Sequence, residues 1–564
     1  MDERTTGVVP EERVWWKEAV FYQIYPRSFK DSDGDGVGDL RGIIEMVDYL
    51  ETLGIDCVWL SPVYESPDAD YGYDVADYRA IDPRYGSMAD WDRLLSELHD
   101  RDIRLVMDLV VNHTSTEHHW FQRSREGDPD YAGFYHWRSG EDGPPNNWES
   151  HFDIPAWSHD EEREEYYLHL FTRDQPDLNW ESPAVREEIQ EIVSWWLDRG
   201  VDGFRLDVVN EISKVSGLPD GDPGGDLVGA EQHTNGPRMH EFFAELADEG
   251  FGEHRDRVTT IGECSDIDPE TALDVTGRRS ALLDMVIFFG HTNLDGREDL
   301  EHREWELTEL KAVMQRWQDA VAEGTWVALY HSNHDQPRAV SRYADPEYRY
   351  ESATMLAAWL HGHRGSPFIY QGEEIGMSNV AFESPEDLED PWTRNHWANA
   401  RDAGAEFEDV REDIERLSRD NARTPMQWDD SPHAGFTDGD PWMPVGDDYE
   451  TVNVAADRAS DRSVFEFYRE LIALRKADDV LVYGDFEMLL ADHERLYAFR
   501  RHLVGADHEL LFVCNFSAET VRFDPPGAVD VEAAEVVLTN ASPAPTDPTD
   551  AALGPYEAVV YRLA

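Results

Sequence analysis

The chain has 564 residues, with 49 lysines and arginines against 119 aspartates and glutamates, a formal net charge of −70. At about 150 residues per domain, this length predicts three or four domains, or one large barrel with additions. So acidic a field repels DNA, RNA and anionic bilayers, and 40% hydrophobic with 12% aromatic content argues for packed cores over disorder.

Short apolar runs recur in chain order at 20–25, 57–60, 105–111, 203–209, 259–262, 283–289, 326–330 and 367–370. Helical periodicity lies between them, for example at 40–53, 91–101 and 185–199. Strands alternating with helices predict a parallel sheet, and eight such units predict an α/β fold built on a closed (β/α)8 TIM barrel. The long gap after the third run predicts an inserted subdomain, 114–176, overhanging the barrel mouth. The barrel itself is expected to take 1–113 and 177–478, with an irregular aromatic-rich stretch at 378–454. From 479 to 564 the alternation and Pro-rich turns predict a C-terminal all-β sandwich.

The acidic residues are spread along the chain, and only five lysines occur: Lys17, Lys30, Lys214, Lys311 and Lys476. This pattern resembles proteins from the cytoplasm of salt-accumulating halophiles, where molar salt shortens the Debye length to about 3 Å and removes self-repulsion. Cys57, Cys264 and Cys514 are too few and too scattered for a disulfide framework. Cys264, beside Glu263, is expected to line the pocket. The start, Met-Asp-Glu-Arg, lacks a basic region followed by an apolar run, and no stretch reaches the ~20 apolar residues of a membrane span. A soluble cytoplasmic protein is expected.

In a (β/α)8 barrel, functional groups gather at the C-terminal ends of the strands. Asp108 and His113 follow the third run, Arg205 and Asp207 lie in the fourth, Glu263 ends the fifth, and His334 and Asp335 follow the seventh. Asp207, Glu263 and Asp335 should therefore meet in one mouth. Clustered carboxylates suit glycosidic cleavage, in which one attacks the anomeric carbon while a protonated partner serves the leaving oxygen.

These segments carry a resemblance. Asp108-Leu-Val-Val-Asn-His113, Gly203-Phe-Arg-Leu-Asp207, Gly262-Glu263 and Asn333-His-Asp335 resemble the four sequence regions of the α-amylase family, glycoside hydrolase family 13. Phe21-Tyr-Gln-Ile-Tyr-Pro-Arg-Ser-Phe29, Gln175-Pro-Asp-Leu-Asn-Trp180, Phe368-Ile-Tyr-Gln-Gly-Glu-Glu-Ile-Gly376 and Ser418-Arg-Asp-Asn-Ala-Arg-Thr-Pro-Met-Gln-Trp428 are similar to its oligo-1,6-glucosidase and α-glucosidase group.

The resemblance implies a retaining exo-acting α-glucosidase, with Asp207 as nucleophile, Glu263 as acid/base and Asp335 as stabiliser of the distorted transition state. Glucose would be held through Asp70, Tyr73, His113, Arg205, His334 and Arg419, with Tyr73 as a stacking floor. Valine at position 208 accompanies α-1,6 cleavage in that group, so isomaltose-type bonds are modestly favoured over maltose-type ones. Small oligosaccharides are the expected partners; nucleic acids and membranes are not, and the oligomeric state is open. A sugar isomerase or transglucosidase, a trehalose-phosphate hydrolase and a catalytically inactive binding ectodomain are the alternatives.

The loop Asp31-Ser-Asp33-Gly-Asp35-Gly-Val37-Gly-Asp39 begins like an EF-hand, with carboxylates at positions 1, 3, 5 and 9, a carbonyl at 7 and Gly36 at 6. The glutamate expected at position 12 is replaced by Gly42. Related glucosidases carry a similar loop around a divalent ion. The resemblance therefore implies that Asp31, Asp33, Asp35, Val37 and Asp39 hold structural Ca2+ or Mg2+, with no cofactor needed for the chemistry.

Overall fold

A computed structural model describes residues 13–140, 143–276, 282–296, 300–527 and 529–564. Eight strands form the central sheet: β1 (Phe21–Ile24), β2 (Cys57–Leu60), β3 (Arg104–Val110), β4 (Gly203–Asp207), β5 (Thr259–Glu263), β6 (Met285–Ile287), β7 (Ala328–Leu329) and β8 (Ser366–Tyr370). Their order is β6-β5-β4-β3-β2-β1-β8-β7, with neighbours parallel. A parallel bridge between Val286 and Val327 joins β6 to β7, with the Val286 N–H donating to the Trp326 carbonyl at 3.1 Å. The barrel is closed. Each strand falls on one of the eight apolar runs, because a barrel strand is covered on both faces and so reads as continuous apolar sequence.

Gly203 shows how tightly the strands meet. Its φ is 157°, and a Cβ there would lie 2.2 Å from the Thr259 carbonyl oxygen, so only glycine lets β4 and β5 approach this closely. The first predicted helix, 40–53, is broken at Met46 into Leu40–Glu45 and Val47–Leu53. Met88–His99 and Pro183–Asp198 cover the other two helical patterns.

Between β3 and β4 the chain leaves the barrel. It forms the helix His119–Arg125 and a three-stranded antiparallel sheet in which Glu165–Leu168 runs between Trp137–Arg138 and Trp157–Asp160. Trp148, Ala156, Trp157, Leu168 and Leu170 form its own small core with Leu218. Phe152 packs against Leu300, ahead of β7, and against Trp392 and Leu417, which ties the insert to segments beyond β8.

Those segments are more regular than the sequence suggests. The stretch expected to be irregular, 378–454, contains the helices Pro391–Asp402, Phe407–Leu417 and Asp420–Arg423. The β alternation read from 479 begins only at 485, since Asp479–Tyr483 is a helical turn whose Val480, Leu481 and Val482 are all buried.

The C-terminal part is an antiparallel sheet of β9 (Asp485–Leu489), β10 (Leu496–His502), β11 (Glu509–Asn515), β12 (Glu535–Thr539) and β13 (Ala558–Leu563), in the order β9-β10-β11-β13-β12. One face, carrying Leu496, Leu511, Val513 and Tyr561, is closed by a two-stranded ribbon, Val521–Arg522 with Ala552–Leu553, through Phe523 and Leu553. The other rests on the barrel helix Arg349–Gly362. There Phe499 and Phe512 stack at 4.7 Å, within 3 Å of where a Cβ on Gly362 would sit. Sandwiched between barrel and sheet, this helix is buried continuously from Ser352 to its end. No helix among the described residues is long and apolar enough to cross a membrane.

Candidate active site

The strand ends deliver their charges to one place. Arg205, on β4 and 0% exposed, donates to Asp108 Oδ1 on β3 at 2.7 Å and to Asp207 Oδ1 at 2.8 Å. Its Nη2 lies 2.5 Å from Glu263 Oε2 at the end of β5. One guanidinium thus holds three carboxylates. Asp108 also accepts from Trp59 Nε1 at 3.1 Å and from the Tyr73 hydroxyl at 3.0 Å, so the inner carboxylate is fully bonded.

Burial pushes the Asp207 carboxyl well above the usual carboxylate range. Arg205 opposes that rise, while Glu263, Asp108 and Asp335 reinforce it. Three negative groups around one positive one leave a net charge that a shared proton relieves, and that proton belongs to the cluster.

A second charged wall faces the first. Arg419 donates to Asp335 Oδ1 at 3.0 Å, Asp70 Oδ1 at 3.3 Å and Asp390 Oδ1 at 2.8 Å. Arg423 adds a bond to Asp335 at 2.8 Å, and His334 Nε2 lies 3.1 Å from the other Asp335 oxygen. Burial works against ionisation of Asp335, but His334, Arg419 and Arg423 outweigh it and hold the carboxyl well below its usual range. Gln175 Nε2 donates to Asp70 Oδ2 at 3.2 Å and lies 3.2 Å from His113 Nε2. Burial, helped by nearby Lys214, lowers the pKa of His113 to about 3, so its ring is neutral.

Between the two walls lies a cavity of about 500 Å3. Asp70, Tyr73, His113, Asp207, Val208, Glu263, Asp335 and Arg419 all line it, eight of the ten candidate catalytic and substrate-binding residues. Tyr73 presents a ring backed by His334, stacked at 5.2 Å with 6° between planes, which fixes it as a flat apolar surface. Arg205 and His334 are 0% exposed and stand behind the lining, where they orient carboxylates. Cys264 is buried and does not line the cavity: its neighbours Glu263 and Ser265 do, and the intervening side chain points away. Burial also raises its thiol pKa, which keeps it unreactive.

Several lining and supporting groups lie outside the expected set. Asp108, seen at a strand end, proves to be the inner anchor of Arg205. Gln175 sits in a quoted motif without a role. Arg423, like Gln175, sits in a quoted motif without a role, whereas Phe152, Phe171, Trp392 and the wall residue Asp390 carry no signal of their own, because their partners are distant in sequence.

The loop 31–39 lies apart from this cavity. Carboxylate oxygens of Asp31, Asp33 and Asp39 come within 4.8 Å of one another. Asp31 already accepts N–H groups from Asp33, Gly34 and Gly36, and Asp39 caps the helix Leu40–Glu45. Asp35 stands outside this trio; it accepts from the Val37 N–H at 2.9 Å.

The sequence profile of the alpha amylase catalytic domain matches residues 23–484. The chain belongs to the α-amylase family. It is a glycoside hydrolase. The oligo-1,6-glucosidase of Parageobacillus thermoglucosidasius is 49% identical to this family member, over 98% of this chain and 99% of the relative. The trehalose-6-phosphate hydrolase of Escherichia coli (strain K12) is 44% identical over 97% and 98%. The crystal structure of isomaltulose synthase from Klebsiella sp. LX3 superposes with a TM-score of 0.94 at 38% identity, covering 98% of this chain and all of that one.

Proposed function

We propose that the protein is a retaining, exo-acting α-glucosidase. It releases α-D-glucose from the non-reducing ends of short α-glucosides, with α-1,6 bonds favoured modestly over α-1,4. The observation that carries this reading is the closed end of the cavity. Arg419 ties Asp70 to Asp335, and this wall of paired charges suits the end of a sugar chain better than a chain passing through.

The chemistry follows from the cluster on Arg205. Asp207 attacks the anomeric carbon as Glu263 gives its proton to the departing oxygen, leaving glucose as an ester on Asp207. Glu263, now a carboxylate, takes a proton from water, whose oxygen displaces Asp207 and restores both groups. Two inversions give net retention. Asp207 and Glu263 share one guanidinium, which favours the carboxyl spacing of about 5–5.5 Å that direct attack needs. In this reading Asp335 and the neutral His113 hold the sugar's hydroxyls, and Tyr73, which lines the cavity, forms the floor under its ring.

A phosphorylated disaccharide is disfavoured by the outer cavity, where Asp153, Asp226, Glu231 and Asp266 face the opening. Among the described residues lining it, Arg419 alone is a lysine or arginine, and that one is committed to three carboxylates.

The loop Asp31, Asp33, Asp39 offers only hard oxygen donors and fits a structural Ca2+ or Mg2+ away from the chemistry. The charge of −70 suits work in a salt-rich cytoplasm. The deciding experiment follows the first product by proton NMR on maltose, isomaltose, sucrose, trehalose and trehalose phosphate. α-Glucose from isomaltose and maltose is expected. Initial β-glucose overturns retention, a transferred glucose indicates an isomerase or transglucosidase, and preference for trehalose phosphate overturns the substrate reading.

A further inference from the structure

Beside the cavity lies a group that the glucosidase chemistry does not use. His151 comes from the insert, just ahead of Phe152. Glu211 ends the turn Val209–Glu211 that follows β4, four positions beyond Asp207. His233 closes the short helix Ala230–His233. Three segments distant in sequence thus bring two imidazoles and a carboxylate together, with one ligand atom of each within 4.8 Å of the others. Glu211 and His233 are 0% exposed.

Hydrogen bonding alone accounts for only part of this arrangement. His151 Nε2 meets Glu211 Oε1 at 2.9 Å, an ordinary His–Glu contact. Yet Glu211 Oε2 and both ring nitrogens of His233 are buried without a hydrogen-bond partner among the described residues. Buried polar atoms left unpaired cost about 1–3 kcal/mol each, and native proteins rarely keep three in one place without a use for them. His233 Nδ1 and Glu211 Oε2 face each other at 3.8 Å, too far to bond and close enough to share a third atom.

We propose that His151, Glu211 and His233 form a binding site for a zinc-class divalent ion. Two imidazole nitrogens with one carboxylate is a donor set that zinc favours over calcium or magnesium. Metal–ligand distances of about 2.0–2.2 Å in a tetrahedron place ligand atoms about 3.3–3.6 Å apart. The two Glu211 oxygens lie 2.9 Å from His151 Nε2 and 3.8 Å from His233 Nδ1, and the ligand atoms of all three residues fall within 4.8 Å, so side-chain shifts of about an ångström complete the site. The fourth position falls to water, because His151 itself lines the cavity. The ion would pin the insert to the loop behind Asp207 and set the cavity wall from outside the reacting carboxylates. It takes no part in bond cleavage, and the inference stands independently of the substrate assignment.

The test uses the full chain in molar KCl, stripped with a chelator and titrated with Zn2+ alone. One zinc per chain is expected, with affinity reduced by more than about tenfold in His233→Gln and in Glu211→Gln. Absence of uptake by the stripped wild type overturns the proposal. So does wild-type affinity retained in both variants, which would place the ion on surface carboxylates. Should circular dichroism show either variant unfolded, the wild type loaded with Co2+ decides. The intense visible bands of a four-coordinate nitrogen-containing site support the proposal, and the pale spectrum of six-coordinate cobalt rejects it.

Discussion

Val208 sits between the two carboxylates of the proposed chemistry and bears on both of them. Its φ of 35° and ψ of 41° are left-handed, a conformation that a β-branched residue rarely adopts, and its N–H points to Glu263 Oε2 at 3.4 Å. The strained turn directs the isopropyl group into the cavity wall just past Asp207. A branched apolar surface there restricts how the leaving sugar lies, and one such contact biases specificity by about 1–3 kcal/mol. Val208→Thr is expected to raise the maltose-to-isomaltose ratio of kcat/KM by about tenfold; an unchanged ratio removes Val208 from linkage control. At Asp207 itself, conversion to Asn removes the charge but keeps the shape. Turnover should vanish while thermal unfolding stays within a few degrees of wild type. Glu263→Gln should slow glucosylation by natural disaccharides far more than by aryl glucosides with good leaving groups, which need little protonation. Equal loss on both substrates would remove Glu263 from the acid role.

The strands were legible because barrel burial writes itself into sequence. β3, β4 and β5 are buried at nearly every position, and the strand ends put Asp207 and Glu263 where a reader of the pattern looks for them. The same logic misleads at Asp479–Tyr483, where three consecutive buried residues in a helical turn look like a strand. The helix Pro391–Asp402 was hidden for the opposite reason, since only Trp392 and Thr393 are buried in a polar segment. With it went Asp390, which caps that helix and bonds Arg419 across 29 positions. Such an ion pair leaves no local trace. The 31–39 loop is legible as a pattern of carboxylates and glycines. It links β1 to the helix Leu40–Glu45, and Thr437 donates to Asp31, so an ion there would brace two distant segments. Chelation is expected to lower the melting temperature, with recovery on adding Ca2+ or Mg2+ and with the Asp207 chemistry retained. A melting temperature indifferent to chelator and to both ions would exclude a structural cation.

Across the whole molecule, two electrostatic reservoirs set the conditions for folding. The first is inside. Burial holds His113, His118, His291 and His363 at about 3, so all are neutral in the folded chain and charge near 6.5 in the unfolded one. Between those values the unfolded state binds more protons, so stability falls as pH drops from about 6.5, by about 1.4 kcal/mol per pH unit for each histidine. Denaturant midpoints measured in molar KCl, where surface charge is screened, should decline over that window; a flat profile would contradict it.

The second reservoir is the surface. All five lysines have specific partners: Lys214 with Asp177 at 2.6 Å, Lys476 with Asp56 at 2.7 Å, Lys30 on the Gly435 carbonyl, Lys311 on the carbonyls of Leu490 and His493, and Lys17 over the Trp326 ring. Lysine persists here only as a bonded group, and none is left to neutralise the surplus of carboxylates. At 0.1 M salt the Debye length is about 10 Å and like charges across the surface still repel; at 1 M it is about 3 Å and only neighbours interact. Folding confines −70 to a compact body, and the unfolded chain relieves that repulsion by expanding. Added KCl should therefore raise the melting temperature steeply up to about 1 M and more gently beyond, with activity following the folded fraction. Glycerol at matched osmolarity, which does not screen, should fail to substitute. Equal melting temperatures in dilute buffer and molar KCl would show that the paired charges within the fold already outweigh the field outside it.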